Sequence, residues 1–308
     1  MAARESARGG TRWTLRRGAT LAVLSCLGPA LAGCALVAPS GPASATRPPT
    51  VAVPTVTPSS GGQGSTTPSS ATPSGTPTST ATTPTTCPKP ATGFVTTAPG
   101  KGRTVALTFD DGPGPADRQI VSVLDRYGIH ATFFETGAHA AANPDITRLL
   151  AAHGDLIADH SWDHYYPTQV KGGWTPAYLR SQYTRTDQQL TALTGAPVCF
   201  VRPPGGFRNN VEATAHRLGL SVVLWSIDSL DWQQPPRTTA SATAAIVKRA
   251  TAVDGQPHPI VLMHSAKASH EPESQVSSYR GNTVAALPAV IEWYRAHGYR
   301  FVTLAGTP

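Results

Sequence analysis

The chain has 308 residues and a formal net charge of +7, with 25 lysines and arginines against 18 acidic residues. Five of the arginines and Glu5 lie in the first 33 residues, so a chain without that segment would carry only +3. The other basic residues form no cluster typical of a nucleic-acid groove, which argues against a nucleic-acid partner.

Residues 1–33 have the pattern of an export signal. A basic region with Arg16-Arg17 precedes an apolar run that starts at Ala19 and is too short to span a bilayer. The run ends in Leu-Ala-Gly-Cys, which resembles a bacterial lipobox and makes Cys34 a candidate lipidation site. We expect a lipoprotein on the outer face of the bacterial cell membrane or, after ordinary secretory cleavage, a protein of the cell wall. The arginine pair leaves the general secretory and twin-arginine routes both open.

Residues 34–98 are predicted to form a tether. From 35 to 86 the chain is dominated by Pro, Ser, Thr, Gly and Ala, with Arg47 as its only charged residue. Such a segment cannot bury enough apolar surface to offset the entropy of ordering, so we expect disorder. The predicted folded domain is 99–308, long enough for one large α/β unit.

Two cysteines remain beyond the signal segment and Cys34. In an exported protein, Cys87 and Cys199 are candidates for one disulfide that joins the end of the tether to a strand. Two unpaired thiols are the alternative.

Apolar runs alternate with helical patterns through the rest of the chain. Seven strands are predicted, at 104–109, 131–135, 156–158, 198–201, 221–227, 260–263 and 300–304. Six helices are predicted, at 116–127, 144–152, 175–193, 210–218, 238–250 and 283–297, and many end at a glycine. This alternation is typical of a parallel α/β sheet, most economically a (β/α) barrel.

The first polar cluster follows an apolar strand and precedes Gly112. Asp110 and Asp111 lie where that strand becomes a turn, the edge at which parallel α/β folds place their chemistry. The alternating directions of strand side chains would give the two carboxylates different roles. A purely structural polar turn is the alternative.

The second cluster is the segment 159–164, which contains His160 and His164 after another strand. If it is helical, the i, i+4 spacing points both imidazoles at one metal ion. Two imidazoles and a carboxylate suit zinc or a similar divalent ion, and non-haem iron oxygenases use the same ligand set.

Three more clusters follow apolar strands, and five such clusters in one domain are difficult to explain by packing. Arg202 begins Arg-Pro-Pro-Gly-Gly and is suited to holding a carboxylate ionised. The others are Asp-Ser-Leu-Asp-Trp at 228–232 and Leu-Met-His at 262–264.

The five clusters resemble, in order and spacing, the motifs of the polysaccharide deacetylases, carbohydrate esterase family four, with its NodB homology domain. The resemblance covers about 103–308. It implies a distorted (β/α) barrel, one divalent metal ion (zinc, with cobalt or another ion as alternatives), and hydrolysis of N- or O-acetyl groups on a polysaccharide. The implied substrates are peptidoglycan, chitin oligomers and acetylated xylan, and tethering at the membrane favours peptidoglycan. A monomer is expected.

The resemblance also implies roles for individual residues. It makes Asp110 the general base held by Arg202, and His264 the general acid tuned by Asp231. It makes Gly205 the backbone oxyanion donor. The implied metal ligands are Asp111, His160 and His164. The implied walls of the acetyl pocket are Trp232 and Leu262.

Two positions depart from the family pattern. Gly205 stands where Tyr is common, so we expect the pocket to lose an aromatic wall, and Ser265 stands where Asp often follows the histidine. Trp162 is interpreted as a packing residue. Seven histidines outside the motifs are interpreted as surface or helix-end residues: His130, His139, His153, His216, His258, His270 and His297.

Two other functions compete with deacetylation. Loss of Asp110, a metal ligand or His264 would favour a catalytically silent glycan-binding lipoprotein, and none is lost. An iron oxygenase would leave His264 and the Asp231-Trp232 pair without a role.

Overall fold

The structure is a computed structural model that describes residues 86–308; the predicted signal segment, Cys34 and most of the predicted tether lie outside the described residues. The described residues form nine strands: β1 (Phe94–Val95), β2 (Thr104–Gly112), β3 (Thr132–Glu135), β4 (Leu156–Asp159), β5 (Phe200–Val201), β6 (Ser221–Val223), β7 (Ile227–Asp228), β8 (Ile260–His264) and β9 (Arg300–Phe301). They also form seven α-helices: α1 (Asp117–Tyr127), α2 (Gly137–Ala142), α3 (Pro144–His153), α4 (Pro176–Thr194), α5 (Val211–Arg217), α6 (Ala240–Ala250) and α7 (Gly281–Ala296).

All of these strands belong to one parallel sheet in the order β1-β6-β5-β4-β3-β2-β8-β7, with β9 beside β2. The outermost strands, β1 and β7, do not pair with each other, so the barrel is open and distorted. The predicted fold class is confirmed. Because the strands are parallel, the loops that follow them gather at one edge of the sheet.

The structure has two more strands than the sequence pattern predicts. The predicted strand 221–227 is divided because its backbone changes partners, from Val95 beside Leu224 to Ile260 beside Ser226. The strand β1 has only two residues, too few to produce an alternating pattern.

The strand β2 lies at the centre of the sheet and positions the first cluster. All nine of its residues are buried, and it pairs Asp110 with His264 of β8. Side chains alternate along it: Leu107 packs in the cluster beneath the helices, and Ala106 packs in the inner cluster of the barrel. Asp110 is four positions beyond Ala106 in β2 and lies near the fully buried Arg202.

The helix ends follow the predicted glycine signals. Gly128, Gly154 and Gly195 adopt left-handed conformations and cap α1, α3 and α4. Helix α2 was not predicted, because its sequence Gly-Ala-His-Ala-Ala-Ala has no apolar periodicity. Thr136 caps it by accepting a hydrogen bond from the backbone N–H of His139.

Cys87 and Cys199 form a disulfide that closes a loop across 112 positions of sequence. The residues that follow Cys87 are ordered, although the predicted tether extends to 98. Phe94–Val95 adds strand β1 beside β6, and Ala98 is buried in the inner cluster. The described residues from Cys87 to Ala98 are therefore part of the packed domain, because the disulfide and the added strand hold them against the sheet.

Among the described residues, no helix combines the length and the apolar character needed to cross a membrane.

Candidate active site

The polar clusters predicted from the sequence meet at the carboxyl edge of the sheet, around a cavity of about 360 Å³. Eight of the predicted site residues line it: Asp110, Asp111, His160, His164, Gly205, Trp232, Leu262 and His264. The other two, Arg202 and Asp231, lie buried behind the lining and contact Asp110 and His264, respectively.

Asp111, His160 and His164 bring three donor atoms together. Asp111 Oδ1 lies 3.4 Å from His160 Nε2 and 3.2 Å from His164 Nε2. All three side chains are buried, and Asp111 Oδ1 has no hydrogen-bond partner. A buried carboxylate oxygen without a partner is costly, and a divalent ion would satisfy it. Two imidazoles and one carboxylate are donors that zinc accepts, so these residues fit a metal ion.

The backbone conformation of this site differs from the predicted one. His160 and His164 lie on a loop rather than a helix, and Ser161 and His164 have φ values of 65° and 64°. Asp111 also has a positive φ of 69°, at an irregularity in the pairing of β2 with β3. The two imidazoles and the Asp110–Asp111 pair are thus oriented by left-handed residues, not by helical spacing or simple strand alternation.

The outer contacts of the donor residues come from segments distant in sequence. The carbonyl oxygen of Arg202 lies 2.7 Å from His160 Nδ1 and accepts a hydrogen bond from it, which leaves Nε2 free for a metal. His139 Nδ1 lies 2.7 Å from the carbonyl oxygen of Asp111. His270 Nε2 lies 3.2 Å from His164 Nδ1. His139 lies in the last turn of α2, as predicted, and in addition contacts the site. The interpretation of His270 as a surface or helix-end residue is wrong, because it contacts His164.

The ionised carboxylate of Asp111 and the neutral imidazole of His164 suit metal binding. Burial raises the pKa of Asp111, but the imidazoles of His164 and His160 outweigh it and bring the pKa far below its usual range. Burial lowers the pKa of His164 to about 3, so its imidazole is neutral. Burial also disfavours protonated His160, but the nearby carboxylates of Asp110 and Asp111 raise its pKa above the ordinary value.

Asp110 is held by a buried arginine. Arg202 Nη1 donates to Asp110 Oδ1 at 2.6 Å and to Thr108 Oγ1 at 2.9 Å. The guanidinium is fully buried and lies 4.0 Å from the ring centroid of Phe134. Burial lowers the pKa of Arg202, and Asp110 opposes that effect. The pair keeps a carboxylate oriented at the wall of the cavity.

His264 is held by a buried carboxylate. Its Nδ1 donates to Asp231 Oδ1 at 2.7 Å, and its backbone N–H donates to Asp231 Oδ2 at 2.9 Å. Burial disfavours protonated His264, but the Asp231 carboxylate outweighs it and raises the histidine pKa to about 9. Burial likewise raises the pKa of Asp231, yet the charge of His264 brings it below the ordinary value. His264 is therefore protonated at neutral pH.

Aromatic side chains occupy the position where the sequence predicted a lost wall. A Cβ on Gly205 would lie 3.0 Å from Tyr166 Cε1 and 3.1 Å from Phe207 Cε2. Both rings line the cavity, and the Tyr166 hydroxyl donates to Glu271. The expectation of a missing aromatic wall is therefore wrong, since neighbouring loops supply it.

Asp228, the first residue of the predicted cluster 228–232, lines the cavity although the sequence assigned it no role. Sequence reasoning missed five further lining residues: Tyr166, Phe207, Trp225, Glu271 and Val276. Tyr166 and Phe207 each lie two positions beyond a predicted site residue, and this proximity was the available signal. Glu271 follows no strand, so the sequence contained no signal for it. Trp162, predicted to pack, lies outside the lining and stacks on Arg185, with the guanidinium carbon 3.7 Å from the ring centroid.

A parallel α/β barrel with an Asp-His-His donor set at its carboxyl edge is an arrangement that metal-dependent hydrolases use. A sequence profile of the polysaccharide deacetylase family matches residues 97–223. This match, together with a relative that is 30% identical over 92% of its own length, shows that the chain belongs to that family, and it is a polysaccharide deacetylase.

Relatives of the chain have the same activity in their names. It is 30% identical to a peptidoglycan-N-acetylglucosamine deacetylase of Bacillus cereus, over 70% of this chain and 92% of the relative. It is 31% identical to a chitooligosaccharide deacetylase of Rhizobium leguminosarum, over 66% and 90%. A solved family 4 carbohydrate esterase from Streptomyces lividans in complex with acetate is 29% identical, with a TM-score of 0.54 and coverage of 65% and 92%.

Proposed function

We propose that this chain hydrolyses the N-acetyl groups of glucosamine units in peptidoglycan, with zinc at Asp111, His160 and His164. The observation that carries the proposal is the Asp111 oxygen, which is buried, unpartnered and within 3.4 Å of both imidazoles. Asp110 and His264 line the same cavity and provide a proton acceptor and a proton donor. When bound, a divalent ion acts as a Lewis acid and lowers the pKa of water.

Asp110 is the general base in this proposal. Its Oδ1 accepts a hydrogen bond from Arg202, so the carboxylate cannot rotate freely, and its Oδ2 lies 3.6 Å from His160 Nε2. A water molecule beside the donor set is thus within reach of an oriented carboxylate. Removing a proton from that water makes it a nucleophile toward the acetyl carbonyl.

His264 is the general acid. Hydrolysis of an amide requires a proton on the departing nitrogen, and His264 is protonated at neutral pH because Asp231 raises its pKa to about 9. The bond from Nδ1 to Asp231 leaves Nε2 to serve the substrate. The Gly205 backbone N–H is the proposed donor to the oxyanion, and Trp232 and Leu262 are the proposed walls of the acetyl pocket.

The choice of peptidoglycan over chitin oligomers or acetylated xylan rests on the relatives and on the predicted location. Peptidoglycan deacetylases and a chitooligosaccharide deacetylase are both among the relatives. A lipid on Cys34, followed by the Pro/Ser/Thr-rich segment, would place the domain within reach of the cell wall. The protein is proposed to act there as a monomer.

Acetate release from the three polymers tests the activity and its substrate. We expect the largest kcat/KM on peptidoglycan, complete loss after chelation, and recovery with zinc or cobalt. His164→Ala should lose the active-site metal and turnover, and the exposed His216→Ala serves as the control. Full metal content and full turnover in His164→Ala would overturn the ligand assignment. A clear preference for chitin oligomers or xylan would overturn the substrate assignment alone.

Membrane fractionation tests the anchor. Cys34→Ala should leave the membrane fraction or retain its signal segment, whereas Cys34→Ala that remains processed and lipid-labelled would exclude lipidation at this position.

A further inference from the structure

A second group of metal-ligating side chains lies away from the cavity. His130, His153 and Asp155 each offer one donor atom, and the three atoms lie within 4.8 Å of one another. His130 and Asp155 precede β3 and β4, and His153 is the last residue of α3. The group is therefore at the amino edge of the sheet, opposite the edge that carries the active site.

One carboxylate organises this group. Asp155 Oδ1 accepts a hydrogen bond from the backbone N–H of Ala131 at 2.8 Å, and Oδ2 accepts from His153 Nδ1 at 2.8 Å. The Asp155 side chain is fully buried, and that of His153 is 13% exposed. The carboxylate is thus fixed by the backbone, while the imidazole beside it remains reachable from solvent.

The third member of the group lacks a partner. His130 Nδ1 is buried without any hydrogen bond, although its ring centroid lies 5.1 Å from that of His153. The His153–Asp155 pair satisfies itself and leaves this nitrogen unsatisfied. A buried polar atom without a partner is costly, so an ordinary ion pair does not account for the arrangement.

We propose that His130, His153 and Asp155 form a second divalent-metal site, and that zinc is the ion that fits it best. Two imidazoles and one carboxylate are zinc donors, and partial exposure on the His153 side leaves room for water at the fourth position. Zinc bonds of about 2.0–2.2 Å require donors about 3.3 Å apart. His153 Nδ1 and Asp155 Oδ2, which are 2.8 Å apart, must therefore separate slightly when the ion replaces the proton between them. The site would join the end of α3 to the starts of β3 and β4, which assigns it a stabilising role.

Zinc stoichiometry of the full chain tests the proposal. The double variant Asp111→Asn/His164→Ala removes the active-site donors and leaves the second group intact. We expect the metal-stripped parent to take up two zinc ions and this double variant to take up one. Adding His130→Ala to the double variant should abolish the remaining ion, and adding His216→Ala should not.

Thermal unfolding gives a second readout that does not depend on activity. Zinc at a hundredfold excess over its dissociation constant should raise the Tm of the double variant by about 5–10 °C. The rise should disappear with His130→Ala or, if that variant folds poorly, with His130→Gln. The proposal is overturned if the double variant binds no zinc, or if its zinc remains after His130 is replaced. Failure of the active-site metal alone would instead leave one zinc in the parent that depends on His130.

Discussion

Two buried ion pairs lie at the cavity, and they differ in which partner, the cation or the carboxylate, reaches it. In the first pair the cation, Arg202, is completely buried, and the carboxylate of Asp110 reaches the cavity. In the second pair the carboxylate of Asp231 is completely buried, and the imidazole of His264 reaches the cavity with 13% of its side chain exposed. The interaction is the same, but in the first pair the buried cation orients a carboxylate, and in the second the buried carboxylate raises the pKa of an imidazole. One pair therefore presents a proton acceptor, and the other presents a donor.

Breaking the first pair at its cavity end should have the largest effect. Asp110→Asn removes the acceptor and should lower kcat on N-acetylated polymer by about 10²–10⁴. The metal should remain, because Asp111, His160 and His164 are unchanged. Turnover and metal content together check this, with the exposed Asp125→Asn as the control. Loss of the metal from Asp110→Asn would mean that the roles of the two aspartates are reversed.

Breaking the second pair at its cavity end should distinguish donor from acceptor. His264→Ala should lose about 10²–10⁴ in kcat on an amide, but less on an activated aryl acetate, whose leaving group needs no proton. Asp110→Asn should lower kcat by the same factor on the amide and on the aryl acetate, since each substrate requires an activated water. Rates of the two variants on the two substrates provide the measurement. Equal impairment of His264→Ala on both would contradict its role as the acid.

Removing the buried cation tests how far the first pair depends on its hidden partner. Arg202→Leu leaves the Asp110 carboxylate buried and unpaired, so we expect the free energy of unfolding to fall by about 3–5 kcal/mol. Urea unfolding measures the change. The exposed Arg217→Leu should change it by less than about 0.5 kcal/mol. If the two variants were equally stable, the Arg202 bonds would contribute nothing to the fold.

Removing the buried carboxylate tests the second pair through pH. Asp231 raises the His264 pKa from 6.5 to about 9, so activity that needs the protonated imidazole should decline as pH rises through about 9. Asp231→Asn should move this alkaline limb toward 6.5. The profile of kcat/KM against pH checks the shift, and an unmoved limb would assign it to another group.

The same linkage affects stability. Because the folded pKa of His264 is the higher one, its contribution is fully present below pH 6.5 and is lost as pH rises toward 9. Unfolding free energies of the parent should therefore decline in this interval more than those of Asp231→Asn.

The sequence by itself determined the class of fold and the residues with chemical roles. Strands with apolar runs, helices that end at glycine and polar clusters after strands are local patterns, and local patterns are readable because they repeat with a fixed period. Asp110, Asp111, His160, His164, Arg202 and His264 all follow such runs. Parallel strands then bring their ends to one edge, so their convergence could also be predicted.

Only the tertiary structure decided how those residues are oriented and what surrounds them. The positive φ values of Asp111 and His164 arise in loops, where contacts distant in sequence determine the backbone. Tyr166 and Glu271 meet across 105 positions, a relation that no periodic pattern encodes. The group of His130, His153 and Asp155 likewise depends on the tertiary structure. Its three residues lie at one helix end and before two strands, and only long-range packing brings these together.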